Sequence, residues 1–196
     1  GQEEKIPEDV SVFEPGWNTF LTSGNFHTWQ RTGEAKFEFS DGVLIGSAKD
    51  MARNSFLVSP STYGDFELEV EVKILPGGNS GIQIRSHLDK EKDRVFGYQI
   101  EIDTSERAWS GGLYDEGRRG WLNSLKDMPQ ARASFKNGEW NRYRIRCQGD
   151  HIQSWVNGVP CADFHDDVDA SGYIAFQVHG GKSAEVRWRN LWIQEL

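Results

Sequence analysis

Apolar and polar residues alternate with a period of two through most of the chain, which predicts β-strands. The longest such run covers residues 66–74. One face of this strand is predicted to pack in the protein interior, and the opposite face, which carries glutamates, is predicted to be solvated. The apolar face consists of Phe66, Leu68, Val70, Val72 and Ile74, and the polar face of Glu67, Glu69, Glu71 and Lys73.

Short strand-like runs recur between turns that contain glycine, proline or asparagine, whereas helical periodicity is nearly absent. This pattern predicts an all-β fold built as a two-sheet antiparallel sandwich. We expect a single domain over residues 13–196, preceded by an extended polar arm at residues 1–12. The predicted strands are 36–39, 43–47, 55–58, 66–74, 81–86, 97–103, 112–114, 141–148, 152–156, 159–164, 172–178 and 184–195.

Two strands in the middle of the chain carry the candidate chemistry. In residues 81–86 the alternation puts Gln83 and Arg85 on one face, and in residues 97–103 it puts Gln99, Glu101 and Asp103 on one face. If the two strands are neighbours, an arginine and two carboxylates share a sheet face. Such an arrangement is suited to binding or cleaving a hydroxyl-rich molecule.

Composition narrows the class of ligand. The 196 residues include 22 lysines and arginines against 30 acidic residues, a formal charge of −8. Phosphate binding needs clustered cations, and no basic run occurs, so a nucleic-acid partner is not expected. No segment approaches the ~20 apolar residues of a membrane span, and no secretory signal is recognisable in the sequence. The eight tryptophans suit a small carbohydrate ligand, because flat rings stack on the apolar faces of sugars.

Residues 103–140 break the alternation and combine glycines, charges and aromatic residues. This composition predicts a long ordered loop laid over the sheet, and such loops are often functional. Together with polar residues of the predicted strands, its side chains are candidates for substrate binding. The candidates are Asn79, Ser80, Gln83, Gln99, Trp109, Tyr114, Arg118, Trp121, Trp155 and Gln177.

The two cysteines are expected to be free thiols. Turns at residues 149–150 and 157–158 pair Cys147 with Ile152 and Cys161 with Ser154, which puts the cysteines two strands apart. The resulting separation of about 10 Å exceeds the ~7 Å limit for a disulfide.

No metal or other cofactor is predicted. The sequence contains no HxH, HExxH or CxxC pattern, and His27, His87, His151 and His165 have no partner at a ligand spacing. An acidic cluster surrounds residue 164, and a Ca²⁺ site or a solvated acidic loop are both open there, with the loop favoured. Its members are Asp163, Asp166, Asp167 and Asp169.

Several motifs, taken in order, give the chain its resemblance to a known family. They are residues 41–46 (DGVLIG), 63–68 (YGDFEL), 76–85 (PGGNSGIQIR), 97–103 (GYQIEID), 112–115 (GLYD), 138–141 (GEWN), 156–158 (VNG), 177–180 (QVHG) and 186–193 (VRWRNLWI). From about residue 17 to the end, the chain resembles the 3-keto-disaccharide hydrolase domain family. The resemblance implies a concanavalin A-like jelly roll, typically in exported bacterial proteins that act on glycans. Residues 19–29 depart from the family's opening phrase, which puts a ligand role of that edge in doubt.

The resemblance also implies a reaction. A carbonyl at C3 of a sugar acidifies the hydrogen at C2, a base removes it, and the enolate expels the C1 substituent, after which water adds. Hydrolysis and elimination are both open as the overall reaction. A base, a cation or hydrogen-bond donor for the oxyanion, and an acid are then required. Glu101 or His179 would act as the base, Arg85 would stabilise the enolate, and Asp103 would orient the histidine or hold hydroxyl groups.

Other classes stay open at this point. Glu101 and Asp103 are two residues apart on one strand, so their carboxyl groups could also match the spacing of an ordinary retaining or inverting glycosidase. The same sandwich could instead be a non-catalytic carbohydrate-binding module that uses Trp109, Trp121 and Trp155 as platforms. A structural adhesion module would have no enclosed polar pocket.

Overall fold

The computed structural model describes residues 16–196, so the arm expected at residues 1–12 and the predicted start of the domain at residue 13 lie outside the described residues. Two helical turns are short: a 3-10 helix at Phe26–Thr28 and the α-helix α1 at Pro129–Arg132. The strands are β1 (Trp17–Thr19), β2 (Gln30–Thr32), β3 (Lys36–Ser40), β4 (Val43–Met51), β5 (Ser55–Tyr63), β6 (Phe66–Ile74), β7 (Asn79–Asp89), β8 (Arg94–Asp103), β9 (Leu113–Glu116), β10 (Gly120–Asn123), β11 (Asn141–Gln148), β12 (His151–Val156), β13 (Val159–His165), β14 (Gly172–Val178) and β15 (Gly181–Glu195).

These strands form two antiparallel sheets, which confirms the predicted all-β sandwich. The first sheet has the order β13-β12-β11-β6-β15-β4-β3, with β1 paired to β15. The second sheet has the order β10-β9-β8-β7-β14-β5-β2. The main core lies between them, where Leu68 and Val70 of the first sheet and Ile82, Ile100 and Phe176 of the second belong to one buried cluster. Residues that alternate with these lie on the outer faces of the sheets.

The glutamates of β6 differ from the prediction of a solvated face. Glu67, Glu69 and Glu71 are buried, at 4%, 3% and 6% exposure. Arginines of the neighbouring strands lie over them: Arg144 and Arg146 pair with Glu67, Arg142 and Arg144 with Glu69, and Arg189 with Glu71. The long arginine side chains thus shield the carboxylates from water, which a pattern of single residues does not reveal.

Residues 103–140 also differ from the expected loop. Part of this segment forms β9 and β10, which extend the second sheet beyond β8, and α1 follows them. Strand β9 pairs with β8 over Gly97–Ile100, so its side chains continue the outer face of that sheet.

A bulge in β7 shapes the outer face of the second sheet. The β7–β8 register shifts between Gln83 and His87, and Arg85 adopts a φ of +42°. Beyond the bulge the hairpin continues, and Leu88 and Val95 pack on Phe56 and Ala175 of neighbouring strands. Because Phe56 is opposite Gln177 in the sheet register, these contacts lie on the same face as Gln177. The end of the β7–β8 hairpin therefore covers one part of that face.

Cys147 and Cys161 are free and buried, as predicted. Cys147 pairs with Ile152 across β11 and β12, while the register between β12 and β13 shifts near Cys161. None of the helices within residues 16–196 has the length and apolar content needed to span a bilayer.

Candidate active site

A polar pocket of about 300 Å³ opens on the outer face of the second sheet, beside the part covered by the hairpin. This volume is at the lower end of the range for small-molecule sites. The side chains come from five strands and from the segments next to them. The lining residues are Asn54, Asn79, Gln99, Glu101, Arg107, Tyr114, Glu116, Trp121, Gln177 and His179.

Strand register explains why these side chains meet. Glu101 of β8 lies opposite Gly81 of β7, and Gln99 lies opposite Tyr114 of β9. Trp121 of β10 lies opposite Tyr114. Residues directly opposite each other in a sheet point to the same face. One row of side chains therefore runs across β7, β8, β9 and β10 on the outer face.

Gly81 makes room for this row. A Cβ atom at Gly81 would lie 2.3 Å from Cδ of Gln99 and 2.7 Å from its Oε1. The absence of a side chain lets the amide of Gln99 lie over β7, where its Nε2 donates to Oε1 of Gln83 at 2.6 Å. Any larger residue would have to push Gln99 out of this position.

Glu101 is the most perturbed acid of the pocket. Its side chain is 5% exposed, and its Oε1 is buried without a hydrogen-bond partner among the described residues. Burial, reinforced by the nearby Asp103 carboxylate, raises the pKa of Glu101 to about 8, although Arg107 acts in the opposite direction. At neutral pH the group is therefore mostly a neutral carboxylic acid, which can donate a proton.

A second carboxyl group, Glu116, is held by amides. Its Oε1 accepts a hydrogen bond from Asn54 at 3.2 Å, and its Oε2 accepts from Gln99 and Gln177 at 3.4 and 3.5 Å. Burial raises the pKa of Glu116, while the hydrogen bond from Asn54 and the proximity of His179 oppose that change. Oε1 of Gln177 itself lacks a hydrogen-bond partner among residues 16–196.

His179 follows the end of β14 and is exposed at the pocket. Its Nδ1 lies 2.7 Å from the carbonyl oxygen of Gly180. Because a carbonyl can only accept a hydrogen bond, Nδ1 carries the proton in this contact. In the neutral ring, Nε2 then has a free lone pair and can act as a base.

The cation of the pocket is Arg107, not the predicted Arg85. Asp103 accepts from Nε of Arg107 at 2.9 Å, and the guanidinium lies 4.6 Å from the Trp109 ring and 5.1 Å from the Trp121 ring. Asp103 also accepts from the backbone N–H and hydroxyl of Ser105 and from the N–H of Trp109. Burial alone would raise the pKa of Asp103, but these hydrogen bonds outweigh it and lower the pKa. Asp103 is thus an ionised group that positions Arg107 and does not line the pocket.

Aromatic rings form one wall. The Trp121 ring packs edge-on against both Trp109 and Tyr114, at centroid distances of 4.9 and 5.1 Å. Tyr114 and Trp121 line the pocket, whereas Trp109 packs against Trp121 and is not among the lining residues. Burial, followed by the charges of Glu116 and Glu101, raises the pKa of Tyr114, so its hydroxyl is a hydrogen-bond donor over the physiological range.

Arg85 lies elsewhere, and the bulge in β7 is the reason. It is only 1% exposed, and its guanidinium donates to the carbonyl oxygens of Gly64 and Gly149 at 2.8 and 2.7 Å and to Asp65 at 3.0 Å. These partners flank strands of the first sheet. Arg85 therefore ties the two sheets together at one end of the sandwich instead of facing a ligand.

Four further predicted residues do not line the pocket. Ser80 is buried and donates to the backbone of Gln177, Gln83 lies beneath Gln99, and Arg118 pairs with Asp115 and Asp169. Trp155 lies on the outer face of the first sheet, beside Arg144 and Asn157 in a separate cavity of about 660 Å³. The acidic cluster around residue 164 is also divided, because Asp166 pairs with Arg119 and Asp169 with Arg118 and His87.

The pocket contains three residues that sequence reasoning missed: Asn54, Arg107 and Glu116. Glu116 alternates with Tyr114 on β9, so extending the predicted strand 112–114 by two residues would have indicated it. Asn54 and Arg107 lie in connections, where no periodic signal exists.

Comparison with known proteins gives one match to a family. The sequence model of the 3-keto-alpha-glucoside-1,2-lyase-like domain matches residues 16–194. No protein in the curated set matches the chain.

Solved structures share the fold. A glycosyl hydrolase candidate from Parabacteroides distasonis is 23% identical, with a TM-score of 0.68 over 92% of this chain and 99% of that one. The carbohydrate-binding module CBM66 from Bacillus subtilis is 15% identical, with a TM-score of 0.63 over 92% and 96% of the two chains. The exoplasmic domain of VIP36, solved with Ca²⁺ and Man3GlcNAc, is 13% identical, with a TM-score of 0.65 over 92% and 88%. A hydrolase candidate and a binding module thus share this sandwich, and the fold by itself does not separate the two classes.

Proposed function

We propose, from the premise that this chain belongs to the 3-keto-alpha-glucoside-1,2-lyase-like domain family, that the pocket binds a 3-keto-glycoside and eliminates its C1 substituent. The observation that carries the proposal is Glu101: a buried, mostly neutral acid in a pocket that also holds an imidazole and a guanidinium. Perturbed acids beside complementary groups in a cleft are typical of catalytic sites.

His179 is the proposed base. Its Nε2 lone pair is available because Nδ1 donates to Gly180, and histidine is the side chain that most often serves as a general base. The C3 carbonyl of the substrate makes the C2 proton acidic enough for such a base. The C2–H bond breaks, its electron pair moves toward the carbonyl, and the proton stays on Nε2.

Glu101 and Arg107 are the proposed stabilisers of the enolate oxygen. Glu101 is mostly protonated at neutral pH, so it can donate a hydrogen bond to an oxyanion, whereas an ionised carboxylate could not. Arg107 supplies the positive charge that the sequence assigned to Arg85, and Asp103 fixes its position. Donors already in place lower the barrier because no reorganisation is needed when charge develops.

Collapse of the enolate forms a C1–C2 double bond and breaks the bond from C1 to the leaving oxygen. The proton held on His179 can pass to that oxygen, which releases an alcohol and a 1,2-unsaturated 3-keto sugar. No electrons are gained or lost overall. Tyr114 and Trp121 would stack on the sugar, and the amides of Gln99, Gln177 and Asn54 would contact its hydroxyl groups.

A carbohydrate-binding module is the second candidate. It is favoured by the aromatic wall of Tyr114 and Trp121 and by the amides in the same pocket, and by the shared fold of CBM66. Binding alone, however, does not require an acid with a pKa near 8 beside an imidazole.

The deciding experiment measures turnover and binding together. The protein would be offered 3-keto-glycosides and their unoxidised parents, with and without a chelator, and released alcohol would be followed. We expect turnover only of the 3-keto compounds, a loss of about 10²-fold or more in Glu101→Leu and in His179→Gln, and retained binding by calorimetry. Leucine is chosen at position 101 because glutamine could still donate a hydrogen bond. The matched controls are Glu38→Leu and His27→Gln, which alter groups outside the pocket.

If both classes of glycoside bind but neither is turned over, the protein is a carbohydrate-binding module and not an enzyme for these substrates. Turnover at the parental rate in both pocket variants would exclude this pocket as the active site. Export from the cell, which the family resemblance implies, is likewise a proposal, and fractionation of the cells that produce the protein would test it.

A further inference from the structure

We propose that His151, Asp163 and His165 form a binding site for a divalent transition-metal ion, separate from the pocket. The site lies on the β12–β13 hairpin of the first sheet, and none of its residues lines the pocket on the second sheet. One ligand atom from each of the three side chains lies within 4.8 Å of the other two.

The register of the hairpin creates this cluster. His151 and His165 are directly opposite each other across β12 and β13. Asp163 is two residues before His165, so it points to the same face of β13. The imidazole rings stack at 4.2 Å with an angle of 11°, and Nε2 of His151 lies 2.6 Å from Oδ1 of Asp163.

A further carboxylate prepares one imidazole for coordination. Asp150, in the turn before β12, lies 3.0 Å from Nδ1 of His165. An ionised carboxylate accepts hydrogen bonds, so it holds the proton on Nδ1 and leaves Nε2 with a free lone pair. Carboxylate–histidine–metal arrangements of this kind are the common support of histidine ligands, because they fix the tautomer and the ring orientation.

The donor set indicates the kind of metal. Two imidazole nitrogens and one carboxylate oxygen suit Zn²⁺, Cu²⁺ or Ni²⁺, whereas Ca²⁺ and Mg²⁺ prefer oxygen ligands only. The side chains are 33–65% exposed, so they can rotate to bring their ligand atoms to the metal–nitrogen distance of about 2.0–2.1 Å. The ion would replace the proton now shared between His151 and Asp163, and water would occupy the remaining position.

The location gives the ion a structural effect. Strand β13 is at the end of the first sheet as ordered in residues 16–196. An ion held by both strands of a hairpin binds the folded state preferentially and so stabilises it by mass action. The thermal unfolding temperature should therefore rise with Zn²⁺ concentration.

The test is calorimetric titration of the full chain with ZnCl₂ at neutral pH, together with thermal unfolding at the same concentrations. We expect one equivalent to bind, with affinity at least about tenfold weaker in His151→Gln, in His165→Gln and in Asp150→Asn. The matched control is His27→Gln, which should bind as the parent does. Far-ultraviolet circular dichroism would confirm that each exposed substitution leaves the fold intact.

Cu²⁺ provides a second readout, since its electron paramagnetic resonance spectrum reports directly on nitrogen coordination. Two coupled imidazole nitrogens in the parent and one in each histidine variant are expected. The proposal is overturned if Zn²⁺ fails to bind at millimolar concentration, or if the double variant His151→Gln, His165→Gln binds it as tightly as the parent. Loss of this site should leave turnover in the pocket unchanged.

Discussion

Glu101 and Asp103 lie two residues apart on the same face of β8 and yet have opposite ionisation behaviour. Burial raises the pKa of Glu101 to about 8, whereas Ser105, Arg107 and the backbone of Trp109 lower the pKa of Asp103. One strand thus presents an acid that keeps its proton at neutral pH and a carboxylate that holds a cation. Of these two residues only Glu101 lines the pocket, where the second carboxyl group is that of Glu116 on β9.

The raised pKa of Glu101 predicts how stability depends on pH. In the unfolded chain Glu101 ionises near its ordinary pKa, so its favourable contribution is complete below about pH 4.3. It is lost as the pH rises toward 8, because the folded state retains a proton that the unfolded state has released. Relative to Glu101→Gln, the parent protein should lose a few kcal/mol of unfolding free energy between about pH 5 and pH 8.

Urea unfolding at a series of pH values would measure this difference. Glu38→Gln, at an exposed position, controls for the general effect of removing a carboxyl group. Parallel curves for the parent and Glu101→Gln would mean that Glu101 ionises normally.

Arg107 is predicted to govern activity. Arg107→Met removes the positive charge beside Glu101, so kcat should fall about 10²-fold. The same change should move the pKa of Glu101 upward, because Arg107 lowers it in the parent. Steady-state kinetics across a pH range would detect both effects, and Arg187→Met is an exposed control. An unchanged pH–rate profile would remove Arg107 from the proposed mechanism.

In contrast to Arg107, Arg85 is predicted to affect the stability of the fold and not the activity. Arg85→Met leaves the carbonyl oxygens of Gly64 and Gly149 without their donors, which should cost about 2–4 kcal/mol of unfolding free energy. Activity per folded molecule should be retained, since Arg85 is outside the pocket. Chemical denaturation and kinetics at low temperature would separate the two quantities. A catalytic loss without a stability loss would restore the role that the sequence suggested.

Gly81 is predicted to be necessary for the arrangement of the pocket. In Gly81→Ala the new Cβ would overlap the Gln99 side chain, so Gln99 should lose its contacts with Gln83 and Glu116. We expect KM to rise by about tenfold, which corresponds to about 1.4 kcal/mol, with a smaller change in unfolding temperature. Gly24→Ala, where a Cβ has an ordinary contact at 3.7 Å, is the matched control. Equal KM values in the two variants would show that Gln99 can move without consequence.

The tryptophans provide a test of which face binds sugar. Trp121→Ala should weaken ligand binding by about tenfold or more, because it removes a ring of the aromatic wall. Trp155→Ala, on the opposite sheet, should leave that affinity unchanged. Calorimetric titration with a 3-keto-glycoside or its product compares the two variants. The reverse order of effects would move the binding site to the first sheet.

Most of the second sheet's face could be read from local alternation. Gln99, Glu101 and Gln177 line the pocket because each lies on a regular strand, where the direction of a side chain follows from its position. Arg85 shows the limit of that reasoning. A bulge with a φ of +42° turns it away from the face, and no pattern of apolar and polar residues marks a single inserted residue.

The sequence by itself determined the all-β sandwich, the family and the strand that carries Glu101, because alternation and turn residues act over a few neighbouring positions. Only the tertiary structure decided that Arg107 replaces Arg85 as the cation and that Glu116 and Asn54 complete the pocket. It also decided that His151 meets His165. These contacts join residues far apart in the chain, and their geometry depends on register, bulges and loop paths that local patterns do not specify.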